Sequence, residues 1–192
     1  GRFAADCGFL GNRLPDREAR VEEFFLHPAA LLPDKQFVLG GSGWGDKPMP
    51  ANVKYVGHVY TRDHNAFNCT ARTVLNINRS SMARYGFSPA TRVFEAAGAG
   101  ACMITDAWEG IELFLEPDEE VLVAQNGDDV AQLLQGLTPE RARRIGRAAR
   151  ARVLAEHTYR HRAEQVVKIL DAEIGAASAV MKASKQKVSI AA

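Results

Sequence analysis

Short apolar runs alternating with helical patterns constrain this chain more than any other feature. The runs are AADCGFL from Ala4 to Leu10, QFVLG from Gln36 to Gly40, VKYV from Val53 to Val56, the segment from Arg72 to Ile77, ACMI from Ala101 to Ile104, and VLV from Val121 to Val123. Each reads as a short strand. Polar or glycine-rich turns follow four of them, at Gly11 to Arg13, Gly41 to Trp44, Gly57 to His58 and Arg79 to Ser88. Strands joined through helices by right-handed crossovers run parallel, so these turns collect on one edge of one sheet. The expected fold is α/β: a Rossmann-like doubly wound parallel sheet of about six strands, with helices on both faces and further helices at the C-terminus. At 192 residues the chain fits one domain and a second full domain does not fit.

The stretch from Arg84 to Asp106, RYGFSPATRVFEAAGAGACMITD, carries the densest chemistry. Ser88 is a good N-cap and Pro89 suits the first helical position, so a helix is expected from Pro89. Val93, Phe94, Ala96 and Ala97 give it an apolar side, and Gly98 and Gly100 end it before a buried strand. Arg92 and Glu95 are three apart and share a face with Ser88, one turn nearer the N-terminus. A helix N-terminus favours a phosphate, and a carboxylate two turns in can accept two vicinal ribose hydroxyls. The combination is a grip for a nucleoside diphosphate, although an ordinary exposed Arg-Glu pair on a capped helix has the same spacing.

Other strand ends supply candidates for the same edge. Gly11 allows a ligand close to backbone, and Asn12 and Arg13 stand where phosphates meet the sheet, unless the segment is a plain turn with a solvated arginine. A helical pattern from Asp16 is expected to falter at His27-Pro28, because proline disfavours helical geometry in the residue before it. The loop GSGWGDKPMP fails as a dinucleotide fingerprint, since Asp46 occupies the third glycine position and Pro48 would interrupt the helix. His58, Val59 and Tyr60 lie beyond the third strand; a loop histidine bonded to a carbonyl is the simpler role for His58. Thr61 is a candidate cap for a short helix to Thr70. Arg79 and Arg84 flank a loop leading to Ser88, and of the two guanidinium forks Arg79 is the better placed for phosphate oxygens.

Trp108 and Glu109 follow the fifth strand, where they either border a ligand or simply pack and start a turn. Asn126 to Asp129 reads as a turn and cap for a helix to Leu134, and the chain from Thr138 to Ile174 reads as almost wholly helical. The arginines of that region are most simply a solvated face. His157 and His161 have metal-ligand spacing, but Thr158 stands where a metalloprotease helix would carry an acid, so no metal is expected. Ala176 to Ala192, rich in alanine and lysine, is expected to be helical, frayed or weakly docked.

With 24 basic against 23 acidic residues there is no global charge to recruit nucleic acid or an acidic membrane. Cys7, Cys69 and Cys102 show no C-x-x-C spacing and read as reduced thiols, which suggests a cytoplasmic protein. No apolar run approaches the ~20 residues that cross a bilayer, and no signal peptide is evident. The chain opens on Gly-Arg almost directly before a strand, as if cut from something longer.

Gly86, Ser88, Arg92, Phe94, Glu95 and Gly100, with Ala99 near the family's alanine, resemble the G-x-S-x-R-x-F/Y-E-x-x-A-x-G pattern in the donor-binding half of GT-B glycosyltransferases. The nearest resemblance is to the CgeB-like, spore-maturation-type group. It extends through most of residues 5 to 170, including EHTYRHR from Glu156 to Arg162.

The resemblance implies a nucleotide-diphosphate-sugar donor, no cofactor, and a hexosyltransferase-like enzyme of which this chain is the donor half and is catalytically incomplete alone. Residues 1–172 would form the donor domain and 173–192 a tail, while the acceptor site would sit on an N-terminal domain absent from the chain. Glu95 would hold the ribose; Ser88, Arg79, Gly86, Phe87 and Arg92 would lie about the diphosphate and sugar. Gly11, Asn12 and Arg13 would approach the phosphates, and the segment with His58 and Tyr60 would wall the base. Many relatives carry a second glutamate eight residues before the ribose-binding one; Phe87 stands there, which puts the usual sugar contact and the retaining outcome in doubt. The alternative is a non-catalytic Rossmann-like interaction domain that uses Tyr85, Phe87 and Trp108 as its surface.

Overall fold

The computed structural model describes residues 1–190, with side chains to residue 175. Six strands form one sheet in the order β3-β2-β1-β4-β5-β6, and every pairing between them is parallel. They are β1 (Cys7–Leu10), β2 (Phe37–Gly40), β3 (Val53–Tyr55), β4 (Thr73–Asn76), β5 (Met103–Asp106) and β6 (Leu122–Ala124). This is the expected doubly wound sheet, with the reversal of direction between β1 and β4. The first four strands are shorter than their apolar runs, whereas β5 and β6 are as long as theirs and begin two residues and one residue later.

Between and after the strands lie helices α1 (Glu18–Val21), α2 (His27–Leu31), α3 (His64–Thr70), α4 (Ser80–Tyr85), α5 (Thr91–Gly98), α6 (Gly127–Gly136), α7 (Pro139–Glu156) and α8 (Tyr159–Ile190). Period-two alternation divides the sheet between two cores. Cys7, Phe9, Phe37, Leu39, Leu75, Ile104 and Leu122 face a cluster with Phe24, Phe25, Val130 and Leu134. Leu10, Val38, Val74 and Met103 face another with Phe67, Val93, Ala96 and Ala97. Burial on both sides is why the strands read as continuous apolar runs.

Local expectations fail at four places. The helix does not falter at His27-Pro28: a π-helical turn, Glu22–Leu26, passes directly into α2, and His27 is helical at φ −61° and ψ −51°. A widened turn draws away the carbonyl that proline's ring would otherwise strike. Thr61 does not cap; it begins a 3-10 turn, Thr61–Asp63, that leads into α3.

The segment from Arg79 to Ser88 is not all loop. It contains α4, which has no buried residue and therefore no apolar periodicity to reveal it. Finally, helical geometry begins at Thr91 with Ala90 as its cap residue, and the Ser88 hydroxyl makes no capping bond. The chain uses Gly86 and Phe87, at φ +65° and +49°, to turn against the connection after β5, where the Phe87 amide donates to the Glu109 carbonyl at 2.6 Å. A Cβ on Gly86 would lie 2.8 Å from that of Glu109, so glycine is required there.

Other signals are met. Asn126 Oδ1 accepts from the Asp129 amide at the start of α6, and Thr138 Oγ1 accepts from the Arg141 amide at the start of α7. The helical stretch after Thr138 divides in two, because His157 and Thr158 fall between α7 and α8. Contacts divide the chain into a first unit, Gly1–Leu154, and a second that begins at Ala155. The behaviour expected of Ala176 to Ala192 rests on side chains outside the described residues. No helix among the described residues is long and apolar enough to cross a membrane.

Candidate functional site

Parallel strands bring all six carboxyl ends to one edge, and the edge has two parts of different character. On the β2 side of β1, the connections are tied to each other. The Gly11 carbonyl accepts from buried Trp44 Nε1 at 2.8 Å, and Asn12 Oδ1 accepts from the Ser42 amide at 2.9 Å. Gly41, at φ +122°, passes so near that a Cβ would lie 2.2 Å from the Gly11 oxygen. Arg13 is fully engaged: it donates to Glu18 at 2.7 and 2.8 Å and to Asp46 at 3.0 Å.

Lys47 bonds Glu18 at 2.9 Å and also pairs with Glu22. These contacts hold the Glu18 carboxyl down to about 2, through hydrogen bonds from Arg13 and then Lys47. Asp46 is likewise lowered, first by its bond from Arg13. Next to this network His58 and Tyr60 are exposed and stack edge to face at 4.7 Å, with His58 Nδ1 3.4 Å from Ser42 Oγ.

Between β1 and β4, where the sheet reverses, arginines gather without matching acids. Arg17 stands at the cap position of α1, and its Nε is buried without a hydrogen-bond partner. Burial and then the charge of Arg79 depress its basicity. Arg92 turns inward from α5, donates to the Leu10 carbonyl at the end of β1, and lies 5.7 Å from the Phe9 ring. Its guanidinium is lowered to about 10, by burial first and next by Arg17. Arg79, exposed at the cap of α4, has Asp16 as its one counter-charge among the described residues, at 3.9 Å.

One acid is buried among them. Asp106, 1% exposed, accepts from Arg20 at 2.5 Å and from the Asn78 amide at 3.1 Å. Arg20 Nε also donates to the Asn78 carbonyl at 3.0 Å, so α1, β5 and the connection after β4 are latched together. Burial nevertheless raises the Asp106 carboxyl above its ordinary range. Asn78 Nδ2 is buried and unpartnered in the same region. Arginines that depress one another, with orphaned donors beside them, make a locus short of negative charge. A bound anion would supply it.

Glu95 is exposed on α5, and its carboxylate makes no hydrogen bond or ion pair with a described residue. The plain surface pair that its spacing from Arg92 also allowed is not formed. Ser88 is exposed ahead of the same helix, and Phe87 is 58% exposed with its ring against Gly110. Arg84 is exposed and lies over Tyr85. Trp108 is packed, with Nε1 on Thr105 Oγ1 at 3.2 Å and its ring 6.2 Å from Phe114.

Thus Arg17, Arg79 and Arg92 are brought together, with Glu95 felt by Arg92, while Arg13 belongs to a separate neutralised network. Arg17, Arg20, Asn78 and Asp106 were not singled out by sequence reasoning as a site. Their signal was position: Arg17 and Arg20 open the first helix after β1, and Asp106 ends β5. Among the described residues no group of three His, Cys, Asp or Glu side chains could hold a metal. His161 Nδ1 instead lies 2.7 Å from Thr158 Oγ1, and His157 is contacted by Arg162.

Residues 17–168 match the model of a family described as glycosyl transferase-like. No curated protein matches the sequence. Solved structures with a similar fold include Anabaena HepE in complex with UDP-glucose, at 13% identity and a TM-score of 0.68, covering 86% of this chain and 48% of that one. Another is sucrose-phosphate synthase from Thermosynechococcus elongatus, at 18% identity and 0.69, covering 92% and 47%. The C-terminal domain of the glycosyl transferase group 1 family protein LpcC from Francisella tularensis follows at 14% identity and 0.61, covering 80% of this chain and 86% of that domain. The chain therefore spans about half the length of HepE and of the synthase. At such identities the likeness speaks for the fold.

Proposed function

Because the chain belongs to the glycosyl transferase-like family, we propose that it is the donor-binding half of a GT-B glycosyltransferase, closest to the CgeB-like group. Its ligand is a nucleotide-diphosphate sugar at the carboxyl edge of the sheet. The observation that carries this reading is the group of arginines at the reversal between β1 and β4, which has one buried carboxylate among it and orphaned donors at Arg17 Nε and Asn78 Nδ2.

A diphosphate supplies the missing charge. Arg17, Arg79 and Ser88, with the first amides of α5, hold its oxygens; Arg92 adds field from the rear. Glu95 takes the ribose hydroxyls. The backbone at Gly11, Asn12 and Gly86 gives close approach, and His58 and Tyr60 wall the base. Arg13 fixes the connection after β1 rather than touching phosphate.

In the transfer the bond from the anomeric carbon to the β-phosphate oxygen breaks, and the electron pair leaves on that oxygen. Fixed cations and amides stabilise the charge developing there. Phe87, where the resemblance calls for an acid, gives the donor sugar an apolar neighbour. The acceptor site belongs to an N-terminal domain, so residues 1–172 bind donor without transferring and residues 173–192 form a tail.

Calorimetry with uridine, guanosine, adenosine and thymidine diphosphates tests this reading. One of them binds, and Glu95→Ala loses that binding while thermal melting is unchanged. If none binds at millimolar concentration, the non-catalytic interaction domain becomes the better reading.

A further inference from the structure

Helix α7 concentrates positive charge on a chain that is otherwise slightly acidic. Residues Pro139–Glu156 hold six arginines and two glutamates, Glu140 and Glu156, one near each end. The whole chain has 24 basic and 23 acidic residues, which leaves 18 basic and 21 acidic elsewhere. The concentration is therefore local and belongs to one helix.

The arginines are also sorted by face. Ala142, Ile145, Gly146, Ala149 and Val153 are buried, whereas Arg143, Arg144, Arg147 and Arg150 are exposed. Arg143, Arg147, Arg150 and Leu154 follow an i, i+4, i+7, i+11 pattern, so they form one stripe along the helix. Only Arg143 of these arginines has an acid partner among the described residues, Glu140 at 2.9 Å. Leu154, at the end of the stripe, is 53% exposed.

The buried face fixes this stripe in place. Gly146 packs so closely on the turn before β5 that a Cβ there would lie 2.1 Å from the Gly100 oxygen. That turn feeds the amino-terminal edge of the sheet, opposite to the edge where the arginines of the candidate donor site gather. Something bound along the stripe therefore leaves the donor edge open.

We propose that the exposed stripe of α7 is a membrane-docking surface that binds anionic phospholipid headgroups. Guanidinium forks match phosphate oxygens, and basic side chains near an anionic leaflet add their attraction nearly independently. The helix contains no Phe, Tyr or Trp. A surface for single-stranded nucleic acid would use aromatic side chains to stack bases. An exposed leucine in line with the arginines fits the boundary between headgroups and acyl chains instead.

Sedimentation of the whole chain with vesicles of phosphatidylcholine alone, or mixed with phosphatidylglycerol, tests the proposal. Binding is expected to the mixed vesicles only, and to weaken as salt rises. The combined variant Arg143→Gln, Arg147→Gln, Arg150→Gln should lose affinity by about a hundredfold, at about fivefold for each arginine. The matching triple change to lysine should keep most of the binding, which separates charge from folding. Leu154→Gln should weaken binding by a smaller factor. Equal binding to neutral vesicles, or an unchanged glutamine triple, would overturn the proposal. So would displacement from the mixed vesicles by polyuridylate at equal phosphate, which would make α7 a nucleic-acid surface.

Discussion

Arg13 and Arg17 lie four residues apart on the connection that follows β1, and they are in opposite electrostatic states. Arg13 is enclosed by Glu18 and Asp46, and its guanidinium is stabilised in the charged form by those bonds. Arg17 has an orphaned Nε, and burial and Arg79 depress its basicity. A cation already paired is part of the scaffold. One held among other cations is available to an anion, so the count of arginines at an edge matters less than the acids beside each.

The largest expected difference between the two networks is in stability. Asp106 is buried and answers Arg20 and the Asn78 amide, so Asp106→Ala leaves a half-buried guanidinium without its counter-charge and a backbone donor without its acceptor. Breaking a buried pair from one side costs several kcal/mol, and the partial exposure of Arg20 reduces this to about 3 kcal/mol. Urea unfolding reads it directly. Asp46→Ala, made in a side chain that is 80% exposed, should not move the midpoint measurably. Equal losses in the two variants would mean that the networks differ in appearance only.

The next difference is in ligand affinity. A charge-assisted bond to a phosphate contributes roughly 2 kcal/mol, so Arg17→Gln should weaken nucleoside diphosphate binding about thirtyfold. Arg13→Gln should leave it unchanged, because Arg13 already has its partners. Calorimetry on both variants ranks them. If Arg13→Gln is the more damaging, the donor phosphates lie on the β2 side of β1 and the assignment of the two arginines is reversed.

This contrast marks the limit of what the sequence made legible. The number of strands, their parallel pairing and the gathering of turns followed from apolar runs alternating with helical patterns, which are local signals. Arg13 was as good a candidate as Arg79 in sequence: nothing local marks Glu18, five residues on, as folding back onto it, and Asp46 arrives from a loop more than thirty residues later. Arg17 looked like the start of an ordinary helix; its isolation is visible only once Arg79 and Arg92 are brought beside it.

The displaced start of α5 has a related cause. Ser88 and Pro89 carry the right chemistry for a cap, but the preceding residues dock on Glu109, across more than twenty positions. Glu95, by contrast, is exposed on the side of its helix away from Val93, Ala96 and Ala97, and that placement follows from the spacing within the one helix.

The smallest difference is in the response to acid, and its sign separates the networks most sharply. Glu18 is held at about 2 against an ordinary value of 4.5, so the folded chain binds that proton less readily than the unfolded one. Its network therefore contributes stability above pH 4.5, and the contribution disappears as pH falls towards 2.

Asp106 is shifted upward, so its folded form takes a proton more readily, and acid relieves the cost of burying its charge. Comparing wild type with Glu18→Gln in thermal melts should give a modest gap at neutral pH that closes in acid. Comparing it with Asp106→Asn should give a difference that moves the other way, in favour of wild type as pH falls from neutral. Glu18 is solvent-accessible, so added salt should also shrink the first gap and leave the second largely in place. A Glu18 gap that widens in acid would mean that the carboxylate opposes the fold, and the saturated side of the site would then have to be described as strained rather than neutralised.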